Sequence, residues 1–173
     1  MDHADLLLRA TRFEVVRKVQ TTPDGKTLAR EIVCHPGSVV LLPLLEDGRV
    51  VLIRNYRVAV EDWLVELPAG TLSRGEEPLA AAHRELAEET GYRARSLELL
   101  LSFYPSPGIL DERMHLFLAT GLDPGPTELD AGEQIEPCLV PWPEALQMAR
   151  DGRIRDAKTL TGLLYYEVFS RRS

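Results

Sequence analysis

The spacing of hydrophobic and polar positions changes several times along the chain, and each change predicts an element. From Phe13 to Gln20 the run FEVVRKVQ alternates, Pro23-Asp24-Gly25 supplies a turn, and Thr27 to His35 reads as the returning strand. This leading hairpin has little apolar content, and a lone hairpin is marginal in water, so it must pack on the main body or on a second copy of the chain. Residues 1–12 show no clear period and read as a short helix or a frayed end. Ser38 to Leu45, SVVLLPLL, is a continuous apolar run expected as a buried strand, with Pro43 pointing to an edge or a bulge. Glu46-Asp47-Gly48 turns the chain, Arg49 to Arg54 returns antiparallel, and Trp63 to Leu67 forms a further short strand.

A helical period then takes over. Pro78 suits a first-turn position, Glu76 and Glu77 stand at the positive end of the helix dipole, and Gly91 is the expected stop. Leu79, Ala82 and Leu86 form the predicted inward stripe. Leu97 to Tyr104 and Arg113 to Thr120 read as strands around the loop PSPGILDE, followed by an acidic loop from Asp123 to Glu136 and a short strand at Leu139 and Val140. Pro143 to Arg150 predicts a helix ended by Gly152. Lys158 to Phe169 predicts a last one, with Leu160, Leu163, Leu164 and Val168 inward. Strands on both sides of a central helix indicate an α/β protein of α+β type, a mixed sheet with helices packed on its faces. There is no repeat, linker or low-complexity tract, so residues 1–173 are expected as one domain, with about 1–37 as a leading hairpin segment.

Charge narrows the function. A net charge of −7 argues against a nucleic-acid surface, although a local arginine pair or a metal can still reverse the sign inside a cleft. Only Cys34 and Cys138 occur, too few for a disulfide framework, which suits a reducing compartment. No apolar run approaches about 18 residues and the N-terminus lacks a signal pattern, so no membrane partner is expected and the predicted location is cytoplasmic. His3, His35, His83 and His115 are not spaced as a ligand set, and Trp63 and Trp142 read as core or interface residues.

The concentrated chemistry lies between Gly70 and Tyr92, GTLSRGEEPLAAAHRELAEETGY. On a helix, Glu85, Glu88 and Glu89 share one face, where like charges repel by a few tenths of a kcal/mol per pair. Such a face is either left to water or given a cation, and hard divalent ions take carboxylate oxygen. Composition and periodicity go no further than an acidic helix in a mixed α/β domain.

Written as G-x5-E-x7-R-E-L-x-E-E-x-G-Y, with Gly70, Glu76, Arg84, Glu85, Leu86, Glu88, Glu89, Gly91 and Tyr92 at the fixed places, the stretch resembles the signature of the Nudix hydrolases. Tyr92 stands where that family usually has an aliphatic residue. HPGSVVLLPL, VVLIRNYR, ELPAG, SFYPSPGILDER and GRIRDAKTL further resemble the ADP-ribose pyrophosphatase branch, as does Pro107, 15 residues past Tyr92. The resemblance implies an α/β/α sandwich and hydrolysis, dependent on Mg²⁺ or Mn²⁺, of ADP-ribose to AMP and ribose 5-phosphate. The alternatives are another nucleoside diphosphate derivative (a nucleotide sugar, FAD or a dinucleoside polyphosphate) and a non-catalytic ADP-ribose sensor.

It also implies roles. Glu85, Glu88 and Glu89, with the Ala69 carbonyl and Glu136 as a further ligand, would hold the metal, and Arg84 would orient a glutamate. Arg57 and Arg54 would contact the substrate phosphates, and Pro107 and Glu112 would line its site. Glu133 in the acidic loop is the candidate general base, with Glu88 as the alternative. The leading hairpin is expected to build a homodimer.

Overall fold

The computed structural model describes residues 5–171 other than 130, 131 and 133, so Glu133 and His3 lie outside the described residues. The leading segment is a three-stranded antiparallel sheet of β1 (Asp5–Arg9), β2 (Glu14–Thr21) and β3 (Thr27–Cys34). The hairpin β2–β3 runs in register from Glu14↔Cys34 to Thr21↔Thr27, as its alternation predicts. The helix or frayed end expected at residues 1–12 is replaced from Asp5 by a strand, because DLLLR pairs along β2. No residue of β1 is buried, so its sequence has no inside and outside to alternate between.

Strand β4 (Ser38–Pro43) is buried at every position. It lies between β7 (Ala69–Thr71), antiparallel to it, and β9 (Met114–Pro124), parallel to it, with β8 (Tyr92–Phe103) beyond β9. A strand covered on both faces reads as an unbroken apolar run, as SVVLLP does. Pro43 does not mark an edge strand. Leu41 donates its N–H to Pro68 on the β7 side and Leu44 donates to Ala119 on the β9 side. By alternation the Pro43 nitrogen faces the β7 side, beyond the end of that three-residue strand, where no ladder bond is lost.

The return after Gly48 differs from the expected hairpin. Strand β5 (Arg49–Arg57) is bridged to the end of β4 only by the Leu44↔Val50 pair just past it, and joins a second antiparallel sheet, between β6 (Asp62–Glu66) and β10 (Ile135–Pro141). Both sides of β4 are already taken by β7 and β9, so β5 has to pair elsewhere.

Helix α1 (Pro78–Thr90) begins on Pro78 and stops at Gly91, whose φ of 74° is the left-handed conformation that glycine adopts without strain. It covers one face of the mixed sheet, packing Ala81, Ala82 and Leu86 on Val39, Leu41, Phe117 and Ala119. Leu79, expected inward, is 49% exposed. The buried set runs through Ala81, Ala82, Glu85, Leu86, Glu89 and Thr90, so the stripe is rotated toward the glutamates and leaves Leu79 at its margin. The opposite face of the sheet holds Val40, Leu42 and Leu116, packed with Val50 and Leu52 of β5, Trp142 of α2 (Trp142–Arg150) and Leu163 of α3 (Ala157–Tyr165). Helix, sheets and helices therefore stack as the α/β/α sandwich that the resemblance implies. The final helix is shorter than predicted, because after Tyr165 it loosens into a π-helical stretch, Tyr166–Ser170. Leu163 is buried and Leu160 packs at the edge of the core, whereas Leu164 and Val168 are exposed rather than inward.

Leu86→Ala should lose about 2–5 kcal/mol in urea unfolding, while Leu79→Ala should change stability by no more than about 0.5 kcal/mol. Equal losses at the two positions would contradict this placement of the helix.

Candidate active site

A cleft of about 620 Å³ opens where α1 and β7 face the β5–β6 strands and the start of α3. The alternation of β5 sends Asn55 and Arg57 into it and Arg54 to the opposite face of the strand. Helix α1 contributes Glu85, Glu88 and Glu89, which helical spacing places on one flank.

Two of these glutamates are nearly buried, with Glu85 at 8% and Glu89 at 4% exposure. A buried carboxylate is costly unless charged or polar partners reach it. Arg84 lends Nη1 to both Glu85 Oε1 at 2.7 Å and Glu88 Oε2 at 2.9 Å. Its Nε and Nη2 each donate at 3.0 Å to Glu76, and Glu76 in turn accepts the Ser73 N–H at 2.8 Å. The Glu76 contact and the two helix glutamates raise the Arg84 pKa well above its ordinary value, and Arg84 holds the Glu76 carboxyl below its own. Glu89 accepts the Ala69 N–H at 2.8 Å, which ties the helix to β7.

Gly70 is fixed by close approach. A Cβ there would stand inside the Glu85 carboxylate, so any larger residue would push that group off its place. On the far wall Arg57 donates to Glu66 through Nε at 2.8 Å and Nη2 at 2.6 Å. That fork raises the Arg57 pKa against the effect of partial burial, with smaller contributions from Glu89 and Asp156.

Of the residues singled out in the sequence, Ala69, Arg84, Glu85, Glu88, Glu89, Arg57 and Glu112 line this cleft. Glu112 takes the Ser38 hydroxyl at 2.8 Å at its rim. Arg54 and Glu136 do not join them. They pair with each other at 3.0 Å on the opposite face of β5, where Arg54 also lies over the Trp63 ring. Pro107 lines a separate small hollow beside Lys18 and Ile32. Trp142 is core, with its indole N–H on Glu167 at 2.7 Å. Glu66, Asp156 and Lys158 are cleft residues that the sequence reading passed over. The available signal was a lone glutamate closing the apolar run WLVE.

The donor set suits a hard divalent cation. Three carboxylates and the backbone beside a glycine cradle offer oxygen and negative charge, the ligand chemistry such ions take. Among the described residues no three acidic, imidazole or thiol groups are gathered into a finished cage. Arg84 Nη1 instead bridges Glu85 and Glu88, so an ion bridging that pair would have to displace it.

The NUDIX domain model matches residues 35–163. The chain is 41% identical over 148 residues to the ADP-ribose pyrophosphatase of Bacillus subtilis (strain 168), covering 84% of this chain and 80% of that protein. It is 40% identical over 148 residues to the methanol dehydrogenase activator of Bacillus methanolicus, covering 84% and 80%. The fold is shared with a solved structure of an ADP compounds hydrolase, at a TM-score of 0.83 and 24% identity over 95% of this chain and 90% of that one. The chain belongs to the Nudix family.

Gly70→Ala should lower the thermal stability, at a cost of about 1–3 kcal/mol for overpacking. In a Glu85→Ala background, where the obstructing carboxylate is gone, most of that loss should vanish. An equal loss in both backgrounds would show that Gly70 is not there for Glu85.

Proposed function

We propose that this Nudix-family chain hydrolyses the diphosphate bond of ADP-ribose, giving AMP and ribose 5-phosphate, with Mg²⁺ or Mn²⁺ as cofactor. The observation that carries this reading is the pairing of nearly buried Glu85 and Glu89 on one cleft wall with the Arg57 fork on the other. A diphosphate is the ligand such a pairing fits, because it needs cations on both sides and hard-oxygen ligands to hold one of them. The names of two relatives of nearly equal identity differ, so ADP-ribose rests on the cleft together with the Bacillus subtilis relative.

In this reading Glu85, Glu88, Glu89 and the Ala69 carbonyl hold the cation. When bound, a hard divalent ion neutralises the diphosphate and activates water as a Lewis acid. Arg84 keeps Glu85 and Glu88 oriented, and Arg57 grips phosphate oxygen through the guanidinium edge that Glu66 leaves open. Glu112, tied to Ser38, borders the part of the cleft where the second half of the substrate would lie. Water attacks one phosphorus, the bridging P–O bond breaks, and the water proton passes to a carboxylate, either Glu133 of the acidic loop or Glu88. Arg54, Glu136 and Pro107 stand outside the cleft and are assigned no step in this reading.

The leading sheet is proposed to pair two copies into a homodimer. Leu8 and Val19 stay exposed on one of its faces and Leu6 and Leu28 on the other, apolar surface that a second copy would cover. Two free cysteines suit the reducing cytoplasm, and among the described residues no helix is long and apolar enough to cross a membrane.

Under Mg²⁺, ADP-ribose should be cleaved in preference to GDP-mannose, FAD and dinucleoside polyphosphates. Glu85→Gln should lower kcat by on the order of a hundredfold or more with the fold intact, since metal-assisted charge stabilisation is worth several kcal/mol. Full activity in Glu85→Gln would remove the catalytic reading, and a preference for GDP-mannose would remove the substrate.

A further inference from the structure

Two side chains that the proposed chemistry gives no contact with the substrate, Glu66 of ELPAG and Lys158 of DAKTL, meet behind Arg57. Glu66 ends β6 fully buried, at the bottom of the cleft wall. A carboxylate in that position needs cationic, hydrogen-bonded partners, and it has two. Arg57 takes both of its oxygens from the cleft side, through Nε at 2.8 Å and Nη2 at 2.6 Å. Lys158 donates Nζ to Oε2 from 92 residues away. Lys158 also donates to Asp156 Oδ2 at 2.9 Å, and that same oxygen accepts the Thr159 N–H at 2.9 Å and its hydroxyl at 2.6 Å. The Thr159 oxygen accepts the Leu67 N–H at 2.7 Å, so the start of α3 is locked to the strand that carries Glu66.

This network is dry at the back and wet at the front. The Glu66 and Lys158 side chains are 1% and 7% exposed, whereas Arg57 is 40% exposed. A guanidinium has five N–H donors in a fixed fork. Glu66 uses the Nε edge, which leaves Nη1 to point away from the carboxylate. A free arginine would sample many rotamers, and holding it in one lowers the ordering cost of binding.

We propose that Glu66, held from behind by Lys158, is a positioning residue that fixes the Arg57 fork toward the cleft for a phosphate oxygen of the substrate. The inference rests on the proposed function for the identity of the ligand. It goes beyond that reading in giving the ELPAG glutamate and the DAKTL lysine a role exerted only through Arg57. The competing view is that the network is a staple between α3 and β6 and nothing more.

A double-mutant cycle on ADP-ribose affinity, read by calorimetry alongside kcat/KM, separates the two. Arg57→Ala and Glu66→Gln should each weaken ADP-ribose by about tenfold or more, the usual scale for a charged hydrogen bond. In the Arg57→Ala background, Glu66→Gln should weaken it by less than about twofold further. Lys158→Met should behave as Glu66→Gln does, and Lys158→Arg should restore most of the affinity. If Glu66→Gln fails to fold, the Lys158→Met cycle carries the same decision. Additive losses, or a Lys158→Met protein with wild-type affinity, would overturn the proposal, as would a wild-type protein that binds no ADP-ribose. A wild-type protein that binds ADP-ribose without cleaving it would sink the hydrolase reading alone, because the affinity cycle still decides the role of Glu66.

Discussion

Glu85 and Glu89 stand one helical turn apart on α1 and both are nearly buried. Like charges at that spacing repel, and removal from water costs each carboxylate several kcal/mol unless partners replace the lost hydration. Much of the surrounding structure is arranged to meet that cost. Arg84 is held by Glu76 so that one nitrogen can serve Glu85 and Glu88 together. Strand β7 is only three residues long, yet it brings the Ala69 N–H onto Glu89 and places a glycine where a Cβ would collide with Glu85. The apolar stripe of α1 is rotated toward the same flank, which is why Leu79 is left in solvent.

The fold keeps the two halves of the cleft on separate frames. The glutamates ride on α1, pressed against the mixed sheet by Ala81, Ala82 and Leu86. Arg57 and Glu66 ride on the second sheet, which is backed by α2 and α3. Joining the frames is the task of the shared core around Val40, Leu42, Leu52 and Leu116. A diphosphate lying between a carboxylate-held cation and a forked arginine would be gripped by both frames at once. That arrangement accounts for how a protein of net charge −7 can receive an anionic substrate.

Much of this was legible in the sequence, and the failures have physical causes. The helix from Pro78, its stop at Gly91 and the hairpin β2–β3 announce themselves through local signals that tertiary contacts only reinforce. The site helix was readable for the same reason, since Arg84, Glu85, Glu88 and Glu89 are neighbours on one turn. What could not be read is what depends on contacts far along the chain. Strand β1 exists because β2 offers it an edge, and β5 leaves β4 because β7 and β9, which come later, take both sides. The resemblance groups Arg54 with Arg57 as a phosphate contact, but β-strand alternation and the pairing with Glu136 across β10 carry it to the other face. Glu66 and Lys158 carry no local signal of a role, because only the folded chain brings them together.

The central claim is that the α1 carboxylates are gathered for a divalent cation, and Mn²⁺ binding followed by electron paramagnetic resonance tests it most directly. The account predicts that the wild-type protein quenches the free-ion signal, that Glu85→Gln and Glu89→Gln each weaken the binding at least about tenfold, and that Arg54→Ala leaves it unchanged. Binding that is equally strong in the two glutamine variants, or absent from the wild type even with ADP-ribose present, would contradict it.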